Sequence, residues 1–128
     1  MILNGFAASG LGKASEFTEL GWVRGQLVDK LDLRPYPGTF NVRLIAPDDI
    51  QRWEALKLVP GIAIEEPAGG SCVAVCYPVL INESIRGAIL IPGVVAYPPD
   101  QVEIVAPDSV RGTLGVKDGD PIALRLLD

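Results

Sequence analysis

A turn that leads directly into a predicted strand carries two side chains whose oxygen atoms suit a small hard cation. The turn is Tyr36-Pro37-Gly38, and proline and glycine both favour such a reversal. Alternation along the following strand places Thr39, Asn41 and Arg43 on one face. Two neutral oxygens at i and i+2 can share one Mg²⁺ whose other positions go to water and phosphate. The alternative is structural, with Thr39 finishing the turn and Asn41 bonding a neighbouring strand.

The composition limits the classes of function. The chain has 128 residues, and we expect one domain over residues 1–128. It holds 11 Lys and Arg against 16 Asp and Glu, a net charge of −5 that argues against a nucleic-acid surface. It has no His, which excludes a His-based triad, His-ligated zinc and an imidazole proton shuttle.

Two sequence features predict where the protein acts. No apolar run approaches the ~18 residues that a membrane-spanning helix needs. The N-terminal segment Met1-Ile2-Leu3-Asn4-Gly5 lacks the basic and apolar regions of a signal peptide. We therefore expect a soluble cytoplasmic protein that has no membrane partner.

The two cysteines, Cys72 and Cys76, lie four residues apart in a predicted strand. That spacing puts them on one face but ~13 Å apart, too far for a disulfide. Zinc would need two more Cys or His ligands, which the sequence does not contain. We expect reduced thiols that pack as small apolar groups.

The hydrophobic pattern is mostly that of short strands, separated by many of the 14 Gly and 11 Pro residues. It predicts strands at 2–8, 39–45, 59–65, 71–81, 85–91, 101–106 and 121–127. It predicts an early helix at 20–31 and a short late helix at 108–114, capped by Asp108. Segment 16–20 is either a short strand or a helix lead-in, and Pro47 starts a helical turn with an Asp cap. Such a pattern favours a mainly β, small closed barrel over a doubly wound sheet.

Five segments of the chain, in order and spacing, resemble the CTP-dependent riboflavin kinases typical of archaea. They are Ser9-Gly10-Leu11-Gly12, Pro35-Tyr36-Pro37-Gly38-Thr39-Phe40-Asn41-Val42, Gly87-Ala88-Ile89, Val102-Glu103-Ile104-Val105-Ala106-Pro107 and Val116-Lys117-Asp118-Gly119-Asp120. The resemblance implies a six-stranded cradle-loop (riboflavin-kinase-like) barrel. It also implies an enzyme that transfers the γ-phosphoryl of CTP to the 5′-hydroxyl of riboflavin, giving FMN and CDP with Mg²⁺. The expected partners are these small-molecule substrates.

The resemblance also implies site residues. It assigns Mg²⁺ to Thr39 and Asn41, and flavin contacts to Glu103 and to position 95, which is Val95 here. We regard Glu103 as the reserve candidate for a general base. The residues implied for nucleotide binding are Gly10, Leu11, Gly12, Lys13, Ala14, Ser15, Asp108, Ser109, Val110 and Arg111.

Two residues depart from the family pattern. Ser15 stands where an Arg is usual, so a bidentate phosphate clamp is replaced by one neutral hydrogen bond, and Lys13 could supply the charge. Val95 stands where a flavin-contacting Thr is expected, and it cannot hydrogen-bond. One alternative is therefore a relative that binds a flavin or nucleotide, or phosphorylates another small alcohol. A second alternative, a barrel-type DNA-binding regulator, is disfavoured by the charge.

Overall fold

Seven strands form one antiparallel sheet in the computed structural model, which describes residues 1–9, 14–93 and 98–127. They are β1 (Ile2–Ala8), β2 (Phe40–Arg43), β3 (Ile62–Glu65), β4 (Cys72–Ile81), β5 (Ile85–Pro92), β6 (Gln101–Val105) and β7 (Pro121–Leu126). The sheet order is β3-β4-β5-β6-β2-β1-β7, and a further pairing of β4 with β7 closes a ring of six strands. The predicted six-stranded barrel is thus confirmed. Strand β3 is an addition that pairs with β4 outside the ring.

Three helices lie among the described residues: α1 (Gly21–Leu31), α2 (Pro47–Leu56) and α3 (Val110–Leu114). The early and the late helix are confirmed, and segment 16–20 holds a short 3-10 helix, Phe17–Glu19. The helical turn at Pro47 extends to ten residues in α2. None of the described helices is long and apolar enough to cross a membrane.

Both predicted Asp caps are wrong. Helix α2 begins after Ala46 and has no side-chain cap; Asp49 instead accepts a hydrogen bond from the backbone N–H of Asn4 at 2.9 Å. Helix α3 is capped by Ser109, whose Oγ accepts from the backbone N–H of Gly112 at 3.1 Å. Ser109 has the extended backbone that an N-cap needs, so the cap lies one residue beyond Asp108 and the helix begins at Val110.

Apolar side chains form two layers, one inside the barrel and one outside it. All six ring strands contribute to the inner layer, and Trp53 and Leu56 of α2 pack against it. The outer layer joins α1 and β3 to alternate residues of β4, β5 and β6, and it includes Ala14. In β6, Ile104 belongs to the inner layer and Val105 to the outer one. Glu103 therefore lies on the outer face of β6, between the barrel and its helical cover.

The two cysteines have different surroundings. Both are free thiols, and Cys76 is fully buried in the outer layer, as predicted. The predicted packing is wrong for Cys72, whose thiol is free but exposed. The cause is position: Cys72 is the first residue of β4, where its partner strand β3 ends at Glu65.

Candidate active site

The turn before β2 is built as the sequence predicts. Gly38 has a φ of +88°, a conformation that glycine adopts without the steric penalty of a Cβ. The backbone N–H of Tyr36 donates to the carbonyl of Ala106 at 2.7 Å, which ties the turn to the segment after β6. Thr39 follows at once, so the geometry of the turn determines where its hydroxyl lies.

Strand β2 separates apolar from polar side chains. Phe40 and Val42 point into the barrel, whereas Thr39 and Asn41 bond to residues on the outer face of β6. Thr39 is half-buried and Asn41 is 9% exposed. The predicted alternation is confirmed, and the two candidate metal ligands share a face.

Glu103 is fully buried, and within the described part of the chain its carboxyl group accepts hydrogen bonds from Thr39 and from Ala14. The Thr39 hydroxyl donates to Glu103 Oε1 at 3.0 Å. The backbone N–H of Ala14 donates to both carboxyl oxygens, at 3.1 Å to Oε1 and 3.2 Å to Oε2. Asn41 is the direct cross-strand neighbour of Glu103. One carboxyl group thus joins the strand of the candidate metal ligands to the end of the glycine-rich loop.

Asn41 keeps an oxygen suited to a cation. Its Oδ1 accepts a hydrogen bond from Nε2 of Gln101 at 3.3 Å. An amide oxygen has two lone pairs, so one remains for a second partner. No group of three or more acidic, Cys or His side chains that could hold a metal lies in the described part of the chain. The neutral oxygens of Thr39 and Asn41, with waters and phosphate oxygens, are donors of the kind that Mg²⁺ takes in phosphoryl-transfer sites.

A cavity of about 160 Å³ lies between the turn before β2 and the start of α3. It is lined on one side by residues 36–40 and on the other by Asp108, Ser109, Val110 and Arg111, with Ile104 and Ala106 beside them. Thr39 and the candidate nucleotide residues, about seventy positions apart in the sequence, therefore line one cavity, whereas Asn41 is not among its lining residues. The volume is below the roughly 300–1,000 Å³ of whole-ligand pockets, so the cavity suits part of a nucleotide.

The glycine-rich loop is described only at its end. Ala14 is fully buried, and Ser15 is half-buried beside the turn, with its Oγ 3.6 Å from where a Cβ on Gly38 would lie. The predicted site residues Gly10, Leu11, Gly12, Lys13 and Val95 lie outside the described residues.

Arg111 is held at the cavity by contacts from three directions. Its Nη2 donates to the carbonyl of Ala8 at 3.0 Å and to Asp118 Oδ1, and its guanidinium lies 5.8 Å from the centre of the Phe40 ring. Asp118 also accepts from the hydroxyl of Ser9 at 2.6 Å. The Ser9 hydroxyl first, and then the Arg111 guanidinium, lower the pKa of Asp118 below its ordinary value of 3.8. The pair is therefore charged at neutral pH.

Sequence reasoning missed Asp118 and Ser9 as supports of the site. Asp118 lies in a turn with Asp120, and the two acids look equivalent in the sequence. Only Asp120 serves the turn itself, where its side chain accepts from the backbone N–H of Lys117 at 2.8 Å. The signal that could have found Asp118 was an acid in that turn with no local partner.

The family model CTP-dep_RFKase, described as a domain of unknown function, DUF120, matches residues 7–126. The chain belongs to the DUF120 family. Proteins named riboflavin kinase resemble it over nearly its whole length: it is 39% identical to one from Methanocella arvoryzae, over 98% of this chain and 56% of that protein. A riboflavin kinase from Pyrococcus furiosus is 37% identical, over 98% of this chain and 58% of that protein. One from Methanosarcina acetivorans is 35% identical, over 97% and 53%. This DUF120 chain thus spans little more than half the length of these relatives.

Proposed function

We propose that residues 1–128 form one kinase domain that transfers the γ-phosphoryl of CTP to the 5′-hydroxyl of riboflavin, giving FMN and CDP with Mg²⁺. Membership of the DUF120 family and relatives named riboflavin kinase support the reaction, and the name of the family model supports CTP as donor. The observation that carries the proposal is the cavity that Thr39 lines together with residues Asp108 to Arg111. Phosphoryl transfer needs such convergence because positioning and charge neutralisation supply most of its catalysis.

We assign Mg²⁺ to Thr39 and Asn41. The fit rests on the donor set: two neutral oxygens on one strand face, each with a lone pair left after its hydrogen bond to the protein. When bound, Mg²⁺ would neutralise charge on the phosphate oxygens and polarise them.

The other site residues bind and orient the two substrates. Among the described residues, both hydrogen bonds of Arg111 come from Nη2. Its Nε and Nη1 can therefore donate to phosphate oxygens. Asp108 and Ser109, beside it, line the same cavity. Glu103 and Val95 are assigned to the flavin by the family resemblance alone. We propose no general base, because both oxygens of Glu103 already accept hydrogen bonds from the protein.

A direct assay tests the reaction. The protein is incubated with riboflavin, Mg²⁺ and CTP labelled at the γ-phosphoryl, and labelled FMN is measured by chromatography, with ATP in a parallel sample. Thr39→Val should lower FMN formation about tenfold or more because it removes a candidate metal ligand at constant side-chain shape, whereas Thr39→Ser should keep most of it. Thr113→Val is the matched control, since Thr113 is exposed and does not line the cavity.

Two results would contradict the proposal. The first is absence of FMN with either nucleotide from the wild-type protein. The second is wild-type turnover in Thr39→Val, which would remove Thr39 from the site.

A second candidate function is favoured by Ser15 and Val95, the two departures from the family pattern. It is a barrel that binds a flavin or nucleotide, or phosphorylates another small alcohol. Calorimetry separates the candidates: binding of CDP without binding of riboflavin would favour another acceptor. In either case we propose a cytoplasmic protein with small-molecule substrates.

A further inference from the structure

We propose that Glu103 is a positioning residue of the nucleotide and metal site. In this role its carboxyl group orients the Thr39 hydroxyl and anchors the end of the glycine-rich loop through Ala14. The inference rests on the proposed function and gives Glu103 a task that does not require a flavin.

The hydrogen bond to Thr39 determines how that hydroxyl can bind a cation. A hydroxyl has one hydrogen and two acceptor lone pairs. The hydrogen of Thr39 is directed at Glu103 Oε1, 3.0 Å away and fully buried. Both lone pairs of the hydroxyl then stay available to a cation, and Thr39 is one of the residues that line the cavity. Glu103 thereby orients the Thr39 hydroxyl so that its oxygen can act as a ligand for a cation.

The second bond anchors the loop. The Ala14 N–H lies within 3.2 Å of both carboxyl oxygens, and Ala14 itself is buried in the outer apolar layer. The carbonyl of Ala14 accepts from the backbone N–H of Thr18 at 3.1 Å, which connects this anchor to the 3-10 helix. Ser15, the next residue, is thereby held beside Gly38.

The fold alone gives no reason for an acid at this position. Burial of a carboxyl group costs free energy unless its oxygens are hydrogen-bonded, and apolar residues in such places often stabilise a protein at least as well. Val105 occupies the same face of β6 and packs in the outer layer. A carboxyl at 103 is useful because it can accept from two donors at once, one on each side of the site.

Glu103→Gln is the sharpest substitution because it retains the shape and removes one acceptor. With the amide nitrogen at the Oε2 position, two donors, the amide and the Ala14 N–H, face each other at about 3.2 Å. In the other orientation the amide nitrogen faces Thr39, whose hydroxyl must then accept and loses a lone pair. Either orientation disturbs one of the two contacts.

The test is calorimetric titration with CDP in the complete absence of flavin, with Mg²⁺ and again with EDTA. We expect Glu103→Gln to weaken CDP binding about tenfold in Mg²⁺, with a smaller loss in EDTA. In the Thr39→Val background the same substitution should cost less, because the two residues act as one unit. Glu65→Gln, at an exposed acid on β3, is the matched control.

The outcomes separate this inference from the proposed function. Unchanged CDP binding in folded Glu103→Gln, or a loss that is fully additive with Thr39→Val, overturns the inference alone. A wild-type protein that binds no CDP overturns both. If Glu103→Gln does not fold, Glu103→Asp is titrated in its place, since its shorter side chain cannot reach both donors. Loss of folding in both variants would show that the carboxyl serves the fold and would also overturn the inference.

Discussion

We expect Arg111 to bind a phosphate group of the nucleotide. Its guanidinium lines the cavity beside Thr39 and is held by Ala8 and Asp118. Arg111→Met removes the charge and keeps most of the side-chain length. A charge-assisted hydrogen bond contributes about 1.5–3 kcal/mol, which corresponds to about 10- to 150-fold in the dissociation constant of CDP. The Michaelis constant for riboflavin should change much less.

The fold of the variant should survive. The pair of Arg111 with Asp118 is solvent-exposed, at 39% and 55% of the two side chains, and water and salt screen such pairs, so they contribute little to stability. Arg125→Met is the matched control, because Arg125 is 43% exposed, pairs with Glu83 and does not line the cavity. Arg111→Lys should be intermediate, since it keeps the charge and loses the planar fork.

Calorimetry with CDP and Mg²⁺, supported by thermal unfolding of each variant, measures the effect. If Arg111→Met binds CDP within twofold of the wild type, the assignment of Arg111 to the nucleotide is refuted. If Arg125→Met loses as much CDP affinity as Arg111→Met, the effect is due to net charge, and the position of Arg111 at the cavity does not explain it.

The hydrogen bonds of Asp118 with Ser9 and Arg111 should be sensitive to acid. Because the pKa of Asp118 is depressed in the folded protein, the stabilisation from its hydrogen bonds is present above the ordinary value of 3.8 and is lost as the pH falls through the folded pKa. Asp118→Asn should therefore unfold at a lower temperature than the wild type near neutral pH, and the difference should disappear in acid. A constant difference at every pH would exclude the charge of Asp118 as its cause.

Three further predictions follow from single positions. Ser15→Arg should tighten CDP binding by about 1–2 kcal/mol through a regained charge-assisted contact, measured by calorimetry; unchanged binding would mean that no phosphate is within reach of Ser15. Iodoacetamide should alkylate the exposed Cys72 in the native protein and spare Cys76, because burial raises the pKa of Cys76 to about 12; peptide mass spectrometry would identify the modified residue. Gly87→Ala should lower the urea midpoint because its Cβ would lie 2.6 Å from a carbonyl oxygen of β6, whereas Gly25→Ala, which meets nothing within 4 Å, should raise it.

Local patterns in the sequence determined most of the strands. The alternation around Thr39, with Phe40 and Val42 on one face and Thr39 and Asn41 on the other, predicts both the strand and the direction of each side chain. Turn chemistry at Pro37 and Gly38 placed the start of β2, because few residues tolerate a positive φ. The candidate metal pair, Thr39 and Asn41, followed from the same period of two.

Contacts between distant residues could not be predicted in this way. The hydrogen bond of Thr39 to Glu103 spans 64 positions, and that of Arg111 to Ala8 spans 103, so neither leaves a periodic signal. The position of β3 outside the ring and the length of α2 also depend on packing, since a short apolar segment suits several sheet positions. The sequence by itself supplied the oxygen, carboxyl and guanidinium groups. Only the assembled barrel, in which β2 pairs with β6 and α3 lies beside the turn, decided which of them meet.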